Sequence, residues 1–225
     1  MRYRVRHTTA YSYRKPVDLA SHMLHLSPRP LPHQTIAATA LQSMPAPVRS
    51  TEALDHFGNQ VTWLFLDMPH AEFEVTMDAV VDVAFPPPPP ADATPPWEDV
   101  AAAAREGGAF WQASEFVFES PMVALDPSAA AYAAKSFPPG RPILAGVKDL
   151  TARIRREFAF RGGVTTISTP VSKVMQLRAG VCQDFTHVMI SGLRSLGLPA
   201  RYVSGYIRTK PPPGQVRRRG ADQSH

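Results

Sequence analysis

Gly180-Val181-Cys182-Gln183-Asp184-Phe185 carries the only cysteine of the chain, and the residues behind it decide how it is held. From Cys182 the apolar side chains Phe185, Val188, Met189, Leu193 and Leu196 recur three or four apart, the spacing of one helix face. The run stops at Gly197-Leu198-Pro199, a glycine followed by a proline. The pattern predicts a buried helix with Cys182 in its first turn. There the unpaired N–H groups and the positive end of the helix dipole favour thiolate. Arg178-Ala179-Gly180-Val181 is expected to add a cation and a glycine at which the backbone bends sharply. An amide N–H at that helix end could also hold the oxyanion of a tetrahedral intermediate. The bland alternative is that a lone cysteine is simply a small buried apolar residue.

Working towards the C-terminus, Arg201–Arg208 alternates Val203, Gly205 and Ile207 with Tyr202, Ser204 and Tyr206 and reads as a strand. Working towards the N-terminus, Val147, Leu150, Ile154 and Phe158 make one side of an amphipathic helix whose arginines face water. Glu98–Arg105 and Ser128–Ser136 are alanine-rich and predicted helical. Pro86–Pro90, Pro95 and Pro96 cannot continue a sheet and read as a stiff linker over residues 86–98. Before it the character is β. Tyr3, Val5, His7, Thr9, Tyr11 and Tyr13 alternate with polar residues, as do Phe73, Val75, Met77, Ala79, Val81 and Val83, and Gln60–Leu66 follows a turn at Asp55-His56-Phe57-Gly58-Asn59. The expectation is an α+β protein: an antiparallel β domain over 1–85, the linker, and a cysteine-bearing core over 99–225.

Composition narrows the function. A chain of 225 residues with 44% hydrophobic residues can bury a real core. A net charge of +5 permits an anionic partner, but the motifs that read bases are missing, so nucleic acid is not the expected partner. A single cysteine allows no internal disulfide and suits a reducing compartment; with no apolar leader or span legible, cytoplasm is the expected location and no membrane is expected. No phosphate-binding loop, paired cysteines or dinucleotide fingerprint is present, and no cofactor is expected. His22 and His25 are three apart, but no further ligand joins them, so no metal is expected. His187 falls roughly opposite Cys182 around the helix and makes a poor base for it. Asp184, in the first turn, should complement the helix dipole or bond a neighbouring loop. Arg217-Arg218-Arg219, with Arg208 and Lys210, reads first as a solvated loop.

The segment Gly180–Phe185, continued by Gly192-Leu193-Arg194-Ser195-Leu196-Gly197-Leu198-Pro199-Ala200-Arg201-Tyr202-Val203-Ser204-Gly205-Tyr206, resembles the bacterial transglutaminase-like superfamily. Phe158-Ala159-Phe160 and Thr169-Pro170-Val171 resemble that family's approach to its cysteine. His7, Pro16-Val17 and Asp55–Asn59 resemble its N-terminal β region, so the resemblance extends over almost the whole chain. It implies a papain-like core with a Cys-His-Asp triad. Cys182 matches the nucleophile, and Asp222-Gln223-Ser224-His225 matches the segment that brings the histidine, making His225 the implied general base. No aspartate follows His225, so the core is expected to lack its last strands and the chain to be a truncated one. The implied activity is thioester-mediated acyl transfer or hydrolysis on protein or peptide amides, without a cofactor. The resemblance leaves protease, transferase and deamidase open, and the other class of reading is a non-catalytic binding module that keeps the fold. Oligomeric state is not legible.

Overall fold

A computed structural model describes residues 1–208, 213–214 and 223–224, with backbone alone for Phe110, Gln223 and Ser224. The chain forms two compact units, Met1–Pro87 and Pro88–His225.

The first unit is a four-stranded antiparallel sheet built round one long strand. β1 (Arg2–Leu24) lies along one side of β4 (Gln60–Val83) for nearly its whole length, from Arg2 opposite Asp82 to Leu24 opposite Thr62. The other side of β4 is shared. β2 (Gln34–Met44) takes the half from Glu74 to Val83, and β3 (Arg49–Leu54) takes the half from Gln60 to Phe65. The sequence predicts two strands, Gln60–Leu66 and Phe73–Val83, where β4 is one that runs through Pro69. The pairing explains how a proline survives there. The β1–β4 register slips between Ser12 and Val17 and again between Val17 and Leu19, so Pro16 and Pro69 fall in irregular stretches of the ladder. β2 and β3 carry no strong alternation and were not legible.

Alternation elsewhere in β4 makes one face apolar. Leu64, Leu66, Phe73 and Val75 form one buried cluster and Met77, Ala79 and Val81 another; Leu26 and Leu41 pack on both. On the wet face Arg2 pairs with Asp82 and Arg6 with Asp78, each cross-strand, holding those carboxyls below the usual range through side-chain hydrogen bonds. At the β3–β4 turn Asp55 Oδ1 accepts from the amides of Phe57 and Asn59 at 2.9 and 2.8 Å, and Gly58 adopts the positive φ the turn needs.

The second unit is mainly helical. α1 (Trp97–Glu106), α2 (Trp111–Ser114), α3 (Pro127–Ala134) and α4 (Ile143–Glu157) precede the short β5 (Ala159–Phe160). Then come α5 (Val171–Leu177), β6 (Ala179–Gly180), α6 (Cys182–Ser195), β7 (Tyr206–Ile207) and β8 (Gln223–Ser224). β5 and β6 pair in parallel, β7 and β8 antiparallel. Of the expected strand Arg201–Arg208 only Tyr206–Ile207 is paired; the alternation is real, but residues 201–205 meet no ladder partner among the described residues. Asp126 caps α3, its Oδ1 accepting from the amides of Ser128 and Ala129, with Pro127 at the first helical position. The core gathers Tyr132, Phe137, Leu150, Ile154, Phe158, Val174, Val188 and Leu193. α3 and α6 cross closely because Gly192 has no side chain: a Cβ there would lie 2.7 Å from Ala133 Cβ and 3.0 Å from Ala129 O.

Candidate functional site

Cys182 is the first residue of α6 and is half-buried. The helix behind it is among the most buried elements of the unit, with Val188, Ile190, Ser191 and Leu193 all inside. The thiol is therefore carried on a rigid element. Thr186 donates to the Cys182 carbonyl at 2.8 Å, one turn on.

The turn that delivers Cys182 is held by Asp184. Its side chain is only 4% exposed, and one oxygen, Oδ2, accepts from the Val181 amide and from the Thr165 hydroxyl, both at 2.7 Å. The carboxylate thus reaches back over its own helix end and bonds a neighbouring loop at once. Gly180 is there to make room for it. A Cβ on Gly180 would sit 2.5 Å from Asp184 Oδ2 and 2.9 Å from its Cγ. The expected sharp bend at Gly180 is thus corrected to a close approach. The left-handed residue of this turn is Arg178, with φ of 49°. Arg178 is also not aimed as a cation at the thiol: its guanidinium lies over the rings of Tyr132 and Phe158, 4.8 and 4.7 Å from their centroids.

The loop 161–169 borders the same turn. Its start is fixed by β5–β6 pairing and by the Arg161 amide donating to Gly180 O at 2.8 Å. Its middle is fixed by Thr165 on Asp184, and its far part by Gln183 Nε2, 3.4 Å from Ile167 O.

The sequence reading takes His187 as a poor base for the thiol and does not single out Tyr202 for the site. Tyr202 sits edge-on to His187, centroids 5.8 Å apart, and burial followed by the charge of Cys182 pushes its phenol pKa up. His187 is buried, and burial pushes its imidazolium down, with the Asp184 carboxylate opposing. The segment carrying Tyr202 is stitched in place by buried Arg194, which donates to Ala200 O at 2.9 Å, Phe118 O at 2.8 Å and Ser120 Oγ at 3.1 Å. Tyr202 falls within the stretch quoted for the resemblance, which is the only signal that pointed to it.

His225 and Asp222 lie outside the described residues, as do Lys210 and Arg217-Arg218-Arg219. The neighbour of His225, Ser224, pairs with Tyr206 across β7–β8. His22 and His25 do not share a helix: His22 is in β1, stacked on Phe73 at 3.9 Å, and His25 lies beyond the strand, 3.5 Å from Asp55. Among the described residues no group of three or more His, Cys, Asp or Glu side chains gathers as metal ligands would, and no helix is long and apolar enough to cross a membrane.

Two family models match: the bacterial transglutaminase-like N-terminal region over residues 3–82 and the transglutaminase-like superfamily core over 131–224. Uncharacterized proteins of Mycobacterium tuberculosis and Mycobacterium bovis are each 39% identical over 227 residues, covering 100% of this chain and 71% of theirs. A relative in Mycobacterium leprae, also uncharacterized, is 29% identical over 209 residues, 93% of this chain and 72% of its own. A crystal structure of a candidate cysteine protease from Cytophaga hutchinsonii superposes with a TM-score of 0.64 at 20% identity, over 92% of this chain and 66% of that one, so the fold is shared. An antiparallel N-terminal sheet followed by a papain-like α+β core, with both regions matched in order, leaves one assignment: the chain belongs to the transglutaminase-like superfamily, in the bacterial form that carries the N-terminal region.

Proposed function

We propose that the protein is a cysteine enzyme that breaks amide bonds of proteins or peptides through a thioester, with Cys182 as nucleophile and His225 as base. The observation that supports this most is the seating of Cys182 at the start of a buried helix, on a turn braced by Asp184. Such a turn keeps a nucleophile in one place, and the N–H groups of the first helical turn have no partner within the helix. In this reading the imidazole of His225 takes the thiol proton and the sulfur attacks the amide carbonyl carbon. The carbon–sulfur bond forms while the carbonyl oxygen takes negative charge beside those amides. As the carbon–nitrogen bond breaks, the imidazolium returns the proton to the departing nitrogen. Water or a second amine then attacks the thioester and the thiolate leaves. A reducing cytoplasm suits this chemistry, since the nucleophile must stay reduced.

The test compares the chain with Cys182→Ala on protein substrates. New peptide termini mark a protease, amine incorporation a transferase, and ammonia release alone a deamidase. Identical behaviour of the two proteins in all three assays would end the enzymatic reading. The non-catalytic module would then stand, marked by a Cys182 that alkylates no faster than cysteine in a small peptide.

A further inference from the structure

The loop 161–169 is tied to both flanks of Cys182, and it holds Val164 and Ile167 exposed among exposed polar residues. Arg161 bonds Gly180 on one flank, and Gln183 on the other bonds Ile167 O. Between these points Thr165 is held by Asp184. Yet Ile167 is 72% exposed, Val164 44% exposed, and Phe160, at the root of the loop, 64% exposed. The tip is stiff. The Thr166 amide donates to Thr169 Oγ1 at 2.8 Å, the Thr169 amide returns a bond to Thr166 O at 3.0 Å, and Ile167 sits inside that closed turn. No charged residue occurs from Gly162 to Ser172. Exposed apolar side chains on a firmly braced mount beside a reactive side chain fit a ligand's apolar group.

We propose that Val164 and Ile167 form the wall that receives an uncharged aliphatic side chain of the acyl donor, next to the carbonyl that Cys182 attacks, with Thr165 as the positioning residue. This rests on the function proposed above, and names its specificity. The occupant is aliphatic because the segment Gly162–Ser172, which lies between exposed Arg161 and exposed Lys173, itself offers methyl groups and hydroxyls and no counter-ion.

Labelling of Cys182 tests the wall without requiring turnover. Iodoacetyl-leucinamide, iodoacetyl-glutamic acid amide and plain iodoacetamide are reacted with the whole chain, the modified residue is identified by mass spectrometry, and rates are divided by those with glutathione. The leucine reagent should react about tenfold faster than the glutamate one, a margin of the size that a few methylenes command in an apolar site. Ile167→Ser and Val164→Ser, both surface changes, should each cut that preference about threefold or more and leave the plain iodoacetamide rate unchanged. Thr165→Val should also cut the preference, by releasing the loop from Asp184. A preference absent in the parent chain, or undiminished in both serine variants, overturns the proposal. Should the preference vanish in the variants while no amide is ever turned over, the wall stands and the catalytic reading falls.

Discussion

Replacing Asp184 tests how the Cys182 turn is held. In Asp184→Ala the Val181 amide and the Thr165 hydroxyl both lose an acceptor at 2.7 Å, at a place that is 4% exposed. A hydrogen bond to a charged group is worth about 1.5–3 kcal/mol net, and a buried amide left unpaired forfeits its hydration too. The loss should be about 3–5 kcal/mol, a large share of the roughly 5–15 kcal/mol that holds a domain together. Asp184→Asn should lose far less, about 1–2 kcal/mol. One oxygen takes both bonds, so an asparagine carbonyl can take them as well. The same geometry makes Gly180 and Asp184 interdependent. Gly180→Ala puts a Cβ 2.5 Å from Oδ2, so it should be destabilising alone and add little once the carboxylate is gone. Urea unfolding followed by far-UV circular dichroism reads these differences through the helices of the second unit. An alanine variant within about 0.5 kcal/mol of the parent, or strictly additive effects at 180 and 184, would refute the clamp.

Gly192→Ala should destabilise the second unit by about 1–3 kcal/mol in the same titration, because its Cβ meets Ala133 Cβ and a helix carbonyl that have little room to move. Arg178 sets a left-handed backbone, costing about 1–2 kcal/mol, against contacts with two rings worth about 0.5–1 kcal/mol each; Arg178→Gly should therefore be near neutral and Arg178→Ala clearly destabilising. Burial, then the nearby His70, lowers the pKa of His22 from its ordinary 6.5, so the unfolded chain binds the proton more readily. Stability of the first unit is then complete above about pH 6.5 and lost as pH falls from there towards the lower folded value; hydrogen exchange of β1–β4 amides should show it, and His22→Phe, which can keep the stack on Phe73, should flatten the trend.

What the sequence made legible follows from what each pattern encodes. Alternation reports a sheet face, and it located the first half of β1, to Tyr13, and the second half of β4; it could not show that β1 runs on to Leu24 or that Pro69 leaves β4 unbroken, since that depends on the irregular register near Pro16. The helix at Cys182 was legible because its apolar period is long and ends in a glycine stop. Gly180 looked like a turn residue from sequence, and only the position of Asp184 reveals it as a space left for a carboxylate. Thr165, fifteen or more residues earlier in the chain, carries no local signal at all, because its role is one bond to a distant helix end. Tyr202 is legible only within the stretch that carries the family resemblance, on an alternation of which Tyr206–Ile207 alone is paired among the described residues.

The way β4 is shared also orders the assembly of the first unit. The β3–β4 hairpin closes over five turn residues, Asp55–Asn59, whereas Arg2 must find Asp82 across the whole unit. Local pairs form early and distant ones late, since the chain entropy of closing a long loop must be overcome first. During synthesis β1 emerges before β4, and its Leu24 end can meet Thr62 before its Arg2 end can meet Asp82. Its arginines at positions 2, 4 and 6 lie at the end that is paired last, on an edge strand of the finished sheet, where like charges disfavour pairing with a second copy both before and after folding.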